Sequence, residues 1–145
     1  MPITLHAATP ADFPAMLGLI KGLADFQGTP ENVKSTVEQM QQEFRYFEAW
    51  LAKENESLVG MATYSFVYYS WVGKSIYLDD LYVLPAYRGQ KIASLLMEKL
   101  LETAGMENCK RIQWQVSDWN THAIEVYKKM GADIHEGYHI CNLEL

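Results

Sequence analysis

Ser75-Ile76-Tyr77-Leu78-Asp79-Asp80-Leu81-Tyr82-Val83-Leu84-Pro85-Ala86-Tyr87-Arg88-Gly89-Gln90-Lys91-Ile92-Ala93-Ser94-Leu95-Leu96 reads as a strand, a turn and the start of a helix in direct succession. Over residues 75–84 aliphatic and aromatic side chains dominate and no Gly or Pro intervenes, which is the composition of a strand buried on both faces. Pro85 has no N–H to give a ladder and stops the strand there. Arg88-Gly89-Gln90-Lys91 then offers backbone donors and two cations where the next helix begins, and Ile92, Leu95, Leu96 and Leu100 give that helix one apolar face. A helix N-terminus reached by such a loop suits an anion, because its first N–H groups lack partners and the dipole's positive end lies there.

Outward from this stretch, Trp71-Val72-Gly73-Lys74 is a turn, and Tyr46–Lys53 and Leu58–Tyr69 read as a hairpin joined by Glu54-Asn55-Glu56-Ser57. Nearer the N-terminus, Ile3–Ala7 is a short strand and Thr9-Pro10-Ala11-Asp12 is a capping sequence. The helix it starts carries Phe13, Met16, Leu17, Ile20, Leu23 and Ala24 on one face and runs to about Asp25. Thr29-Pro30-Glu31 repeats the cap signal for a second helix through about Phe44, whose thinner apolar pattern suggests a partial lid over the site. On the C-terminal side follow a helix Gln90–Thr103 ended by Gly105 and a strand Arg111–Val116. Next come a turn Ser117–Asn120, a helix from about Thr121 to Met130 with Gly131 as C-cap, and closing strands near Asp133–Tyr138 and Ile140–Leu143. The expected architecture is α/β (α+β): a mixed, mostly antiparallel sheet of about seven strands flanked by about four helices, in one domain over 1–145.

Hydrophobic residues make up 49% of the 145-residue chain and charged ones 21%, which is enough apolar material for a packed core. A formal net charge of −6 argues against nucleic acid or an anionic membrane as a generic partner and is no obstacle to a cationic amine. The longest uncharged stretch, Ser57–Gly73, is broken by Gly60, Thr63, Ser65 and Ser70 and reads as strand rather than membrane span. With no signal-peptide pattern the expected location is cytoplasmic, and Cys109 and Cys141, lacking metal-type spacing, are ordinary thiols there. His6, His122, His135 and His139 show no ligand spacing either, so no metal is expected.

Arg88-x-x-Lys91-x-Ala93 after Leu81-Tyr82-Val83-x-Pro85-x-Tyr87 resembles the pyrophosphate-binding motif of the GNAT superfamily of acyl-CoA-dependent N-acyltransferases, usually Arg/Gln-x-x-Gly-x-Gly/Ala. Lys91 stands where Gly is usual; helical backbone angles would accommodate it, keeping the amide cradle and adding a charge toward phosphate. The order of elements is also that of the GNAT fold. Trp71-x-Gly73-Lys74, Tyr77-Leu78-Asp79-Asp80 and Trp119-Asn120-x-x-Ala123-Ile124-x-x-Tyr127-Lys128-x-x-Gly131-Ala132 are similar to the diamine (spermidine/spermine) acetyltransferase branch. The resemblance implies acetyl-CoA as co-substrate. Backbone amides of Leu81, Tyr82 and Val83 would pair with the pantetheine arm, and Arg88, Gly89, Gln90, Lys91, Ile92, Ala93 and Ser94 would hold the pyrophosphate, with Asn120 and Tyr127 as further contacts.

An alkyl amine with a pKa of roughly 10 is nearly all ammonium at neutral pH and cannot attack a thioester until something takes its proton. Asp79 falls where the diamine branch has a glutamate in that role; being one methylene shorter, it would work through water. Asp79 and Asp80 are adjacent in a strand, so their side chains start on opposite faces, and on residues alone one could pair with lysine and the other be solvated. Tyr127 shares a helical face with Ala123 and Ile124, which periodicity alone assigns to packing; the motif makes it the donor to the departing thiolate.

Trp71, Tyr68 and Tyr69 near the hairpin tip could wall an alkylammonium pocket or simply pack on one another. Polyamine-acetylating relatives carry acids at the end of the first helix and before the turn tryptophan, where this chain has Gln27 and Tyr69-Ser70, so a short diamine or thialysine-like amino acid is expected over spermine. Rival readings are a GNAT for an aminoglycoside, amino acid or protein N-terminus, and an acyl-CoA sensor without turnover. A homodimer is implied by the resemblance, with Tyr138 and Ile140 as the contact region.

Overall fold

The computed structural model describes residues 2–145 in two compact units, one running to Trp114 and the other from Gln115 to Leu145. The first unit is built on a five-stranded sheet in the order β1 (Ile3–Ala7), β2 (Glu48–Glu54), β3 (Ser57–Tyr69), β4 (Gly73–Val83) and β5 (Ile112–Gln113). All neighbours are antiparallel except β4 and β5, which run parallel. On one face α1 (Phe13–Phe26) and α2 (Val37–Gln42) pack Phe13, Met16, Leu19 and Met40 against Leu51, Met61 and Tyr82. On the other face α3 (Ile92–Met106) sets Ile92, Leu96 and Leu100 against Val59, Ala62, Ile76, Leu78 and Val83. Each such side chain contributes about 1.5–3 kcal/mol by leaving water, so both helical layers are held to the sheet by burial.

Two local devices seat the layers. At the N-terminus the Thr9 N–H donates to Asp12 Oδ2 at 2.9 Å, and a single turn over Pro10–Asp12 leads into α1, as the capping sequence predicts. Asp12 also receives Lys53 Nζ at 2.8 Å, which lowers its carboxyl pKa against the opposing effect of burial. On the sheet, a Cβ at Gly60 would meet Ile92 Cγ2 at 3.2 Å and the Tyr82 carbonyl oxygen at 3.3 Å, so glycine lets the first residue of α3 lie directly on β3.

Several elements depart from the sequence expectation. The cap at Thr29 starts only a single turn, Pro30–Asn32, and makes no side-chain bond; Val33 then turns extended, and α2 waits for Thr36, whose Oγ1 accepts the Gln39 N–H at 3.1 Å. A cap works only where its oxygen reaches the first-turn amides, and here Thr36 does so. Gly105 does not end α3. The helix continues to Met106, and Asn108 at φ +56° supplies the left-handed residue that lets the Cys109 N–H reach the Ala104 carbonyl at 2.8 Å. The strand expected over Arg111–Val116 shortens to Ile112–Gln113, because only Ile76 and Tyr77 of β4 pair with it.

In the second unit α4 (Thr121–Lys129) forms where expected. The Asn120 side chain accepts the Ala123 N–H at 3.4 Å as N-cap, and Gly131 at φ +90° lets the Ala132 N–H return to the Tyr127 carbonyl at 3.1 Å. The closing strands expected at Asp133–Tyr138 and Ile140–Leu143 are not strands, which makes the sheet five-stranded rather than seven-stranded. Alternating apolar residues supply a face, but a strand also needs a neighbour to take its N–H and C=O groups, and none pairs with this segment among the described residues. Tyr138 and Ile140 are exposed there.

Candidate active site

The pairing of β3 with β4 carries one irregularity: Thr63 lies opposite Asp80 and Tyr64 opposite Leu78, leaving Asp79 as an extra residue. This is a β-bulge, and it changes which way β4 presents its side chains. Ile76 and Leu78 face α3, and so do Leu81 and Val83, so the alternation slips by one within Asp79-Asp80. Both carboxylates therefore lie on the α1 face, which also holds Tyr82, rather than on opposite faces as an unbroken strand requires. A uniform period of two is what the sequence supports, and the inserted residue breaks it.

The two acids differ in their surroundings. Thr63 Oγ1 donates to Asp80 Oδ2 at 2.6 Å and accepts the Asp80 N–H at 3.1 Å. Burial first, and then the charge of Asp79, push the Asp80 carboxyl up to about 6 against the lowering effect of the Thr63 hydrogen bond. Asp79 is an exposed residue, yet desolvation by nearby protein still raises its carboxyl above the ordinary value. Burial raises the Tyr77 phenol, and the fields of both aspartates add to it.

β4 continues through Leu81, Tyr82 and Val83 beyond its last β5 partner, Tyr77, and then enters a turn over Pro85–Tyr87 that Tyr87 anchors by donating to Glu54 Oε1 at 3.1 Å. Arg88, Gly89, Gln90 and Lys91 are all exposed. Arg88 Nε donates to the Val83 carbonyl at 3.1 Å, and its guanidinium lies over the rings of Phe26 and Tyr82 at 5.4 and 5.6 Å, bringing the end of α1, where Gln27 is the last cap, beside the basic loop. No side chain caps α3, so the first-turn amides of Ile92, Ala93 and Ser94 form a donor set suited to a diphosphate.

Lys91 does not take helical angles. It sits at φ +62°, ψ +23°, the left-handed region that the usual glycine of the motif occupies without cost. A left-handed non-glycine residue costs about 1–2 kcal/mol, while glycine gives back roughly 0.5–1 kcal/mol in unfolded-chain entropy. Lys91→Gly is therefore expected to raise the denaturant midpoint by the equivalent of about 0.5–1 kcal/mol while weakening acetyl-CoA binding a few-fold through loss of the cation. Chemical unfolding and calorimetric titration of the same variant check both signs; a less stable variant would show that the left-handed turn is not strained.

The structure leaves Trp71 at the turn away from the carboxylates, while Tyr69 acts on the Tyr77 phenol alongside Asp79 and Asp80. Trp71 is 98% exposed at the β3–β4 turn, and the strand from Gly73 to Asp79 spans about 20 Å. Tyr69 lines a hollow of about 220 Å³ with Ser70, Trp71, Val72 and Arg111, and its ring already carries the Arg111 guanidinium at 4.4 Å. Tyr127 and Asn120 belong to the second unit, where Tyr127 is half-buried and burial raises its phenol. Thr63 and Phe26 were not singled out from sequence; only the register and the packing of α1 reveal them. Among the described residues there is no group of side chains placed to hold a metal ion, and no helix is long and apolar enough to cross a membrane.

A family model described as acetyltransferase (GNAT) family matches residues 20–132. A thialysine N-epsilon-acetyltransferase from Sus scrofa is 32% identical over 157 aligned residues, covering 98% of this chain and 92% of that protein. A human spermidine/spermine N(1)-acetyltransferase-like protein 1 is 31% identical over 94% of this chain, though that stretch is only 22% of the longer protein. Among solved structures, an aminoglycoside acetyltransferase from an uncultured soil metagenomic sample superposes with a TM-score of 0.84 at 16% identity, covering 98% of this chain and 97% of that one, which is a likeness of fold.

Proposed function

This chain belongs to the acetyltransferase (GNAT) family, and on that premise we propose that it transfers an acetyl group from acetyl-CoA directly to the primary amine of a small diamine or thialysine-like amino acid. It is an N-acetyltransferase, and one observation carries the choice of acceptor: the bulge that turns both Asp79 and Asp80 to one face of β4. Two carboxylates on one face draw an ammonium and offer its proton a way out. The family match crosses the junction at Trp114–Gln115, which supports treating both units as one functional domain.

The residues divide the work. Arg88, Lys91 and the amides of Ile92, Ala93 and Ser94 hold the diphosphate, and Gly89 and Gln90 shape the loop around it. Leu81, Tyr82 and Val83 offer backbone to the pantetheine arm where β4 outruns β5. The carboxylate pair takes a proton from the ammonium, the freed nitrogen attacks the thioester carbonyl carbon, the carbon–sulfur bond breaks, and Tyr127 gives a proton to the departing thiolate. Asn120 adds a cofactor contact beside its capping role. No acyl-enzyme forms.

At the two positions where polyamine-acetylating relatives carry acids this chain has none: Gln27 caps α1 without charge, and Tyr69 carries the Arg111 guanidinium. Short amines should therefore outrun spermine. A second copy covering Tyr138 and Ile140 would complete a homodimer, which a measured solution mass decides. CoA thiol release is the test of function, measured against thialysine, lysine, putrescine, spermidine, spermine, an aminoglycoside and a short peptide, with acetyl-CoA binding in parallel. Release with the short amines at the highest kcat/KM is expected. Tight acetyl-CoA binding with no release across the panel would favour a sensor.

A further inference from the structure

Resting on the proposed acetyl transfer, we infer that Asp80 is the carboxylate that accepts the amine's proton and that Thr63 is the positioning residue that holds it for that step. Thr63 is only 6% exposed and stands directly opposite Asp80 across the bulge. Its hydroxyl has one proton, and that proton is committed to Asp80 Oδ2 at 2.6 Å, while a lone pair receives the Asp80 N–H at 3.1 Å. This two-way clasp fixes the rotamer of Asp80 and occupies one oxygen, which leaves Oδ1 to take the proton. Asp79, the extra residue of the bulge, is exposed and has no such clasp, so its charge attracts the ammonium without being held for transfer.

Electrostatics agree with this division. A base ionised at neutral pH yet still basic suits proton abstraction, and an Asp80 carboxyl at about 6 meets both conditions. The groups acting on it are Asp79 on its own strand and Thr63 on β3, with the Tyr77 phenol sharing the field of both acids. Of the charged groups facing this side of the sheet, Lys21 and Asp25 of α1 and Glu38 of α2 are exposed, Lys53 of β2 is paired with Asp12 at 2.8 Å, and the Arg88 guanidinium lies over the Tyr82 ring. In the step itself the N–H bond of the ammonium breaks, Asp80 Oδ1 gains the proton, and the nitrogen keeps the electron pair that then forms the new amide bond; Asp80 returns the proton to solvent.

The test is the pH profile of kcat/KM with the best short amine, for the parent protein and for Thr63→Val, Thr63→Ser and Asp79→Asn. Loss of the Thr63 donor should move the acid limb up by about half to one pH unit and lower the rate about tenfold, with serine restoring both. Removal of the like charge in Asp79→Asn should move the acid limb down. Packing alone cannot produce shifts of opposite sign. An acid limb that ignores Thr63→Val, or Asp79→Asn if the valine variant does not fold, overturns the inference while leaving acetyl transfer intact. A parent protein with no amine-dependent thiol release overturns the proposed function and this inference with it.

Discussion

Asp80→Asn is expected to lose at least about 10²-fold in kcat/KM and, at the same time, to unfold at a higher temperature than the parent at neutral pH. The loss follows because an amide cannot take the ammonium's proton, while its oxygen can still accept the Thr63 hydroxyl and keep the local geometry. The gain follows from linkage. The folded carboxyl titrates at about 6 against an unfolded value near 3.8, so the folded state binds this proton more tightly. Its ionisation therefore weakens the fold progressively as pH rises from the unfolded value through about 6, and below about 4 the penalty is absent. For a half-buried group the penalty is on the order of 1–2 kcal/mol, or a few degrees in Tm for a chain of this size. Calorimetry at pH 8 and at pH 4 measures it, with the difference between variant and parent expected only at the higher pH. A variant less stable at pH 8 would mean that ionised Asp80 is structurally required. A variant fully active would hand the proton to Asp79.

The residues of the candidate site and most of the fold were legible in the sequence, whereas the arrangement that sets the two carboxylates on one face was not. The strands from Tyr46 to Leu84, the helix after the basic loop and the Asn120 and Gly131 caps follow from apolar period and local backbone chemistry, and they appear within a few residues of expectation. What local pattern cannot supply is register. The bulge at Asp79 depends on which residue of β3 faces which residue of β4, and Thr63 acquires a role only through that pairing. The same holds for the missing closing strands, since alternation at Asp133–Tyr138 describes side chains and not the partner a backbone needs.

Lys91 shows the complementary case. The motif marks the position as unusual, but nothing local in the residues favours left-handed over helical angles, and only the turn into α3 decides it. Aromatic faces suit a cation, which is why Trp71 and Tyr69 read as acceptor-site candidates. In the fold the cation on Tyr69 is the chain's own Arg111, and the length of β4 separates Trp71 at the turn from the acids.

Tyr127→Phe should lower kcat about 10²- to 10³-fold while leaving the acetyl-CoA Kd within about threefold of the parent. The substitution removes one oxygen and keeps the ring, and the Tyr127 backbone carbonyl still closes α4 by accepting the Ala132 N–H, so the helix should form unchanged. Burial pushes the phenol above its ordinary value, which keeps it protonated and a hydrogen-bond donor at physiological pH. A thiolate leaving group gains most from such a donor when charge develops on sulfur, not in the ground state, which is why turnover and not affinity should carry the loss. The pH profile adds a second sign: the parent should lose rate where the phenol ionises, and the phenylalanine variant should lack that basic limb. Stopped-flow thiol release and calorimetric binding separate the two quantities. A variant that keeps full turnover removes Tyr127 from the proton's path. Equal loss of turnover and binding would instead make its hydroxyl a contact to the cofactor in both ground and transition states, and the thiolate would then leave without an acid.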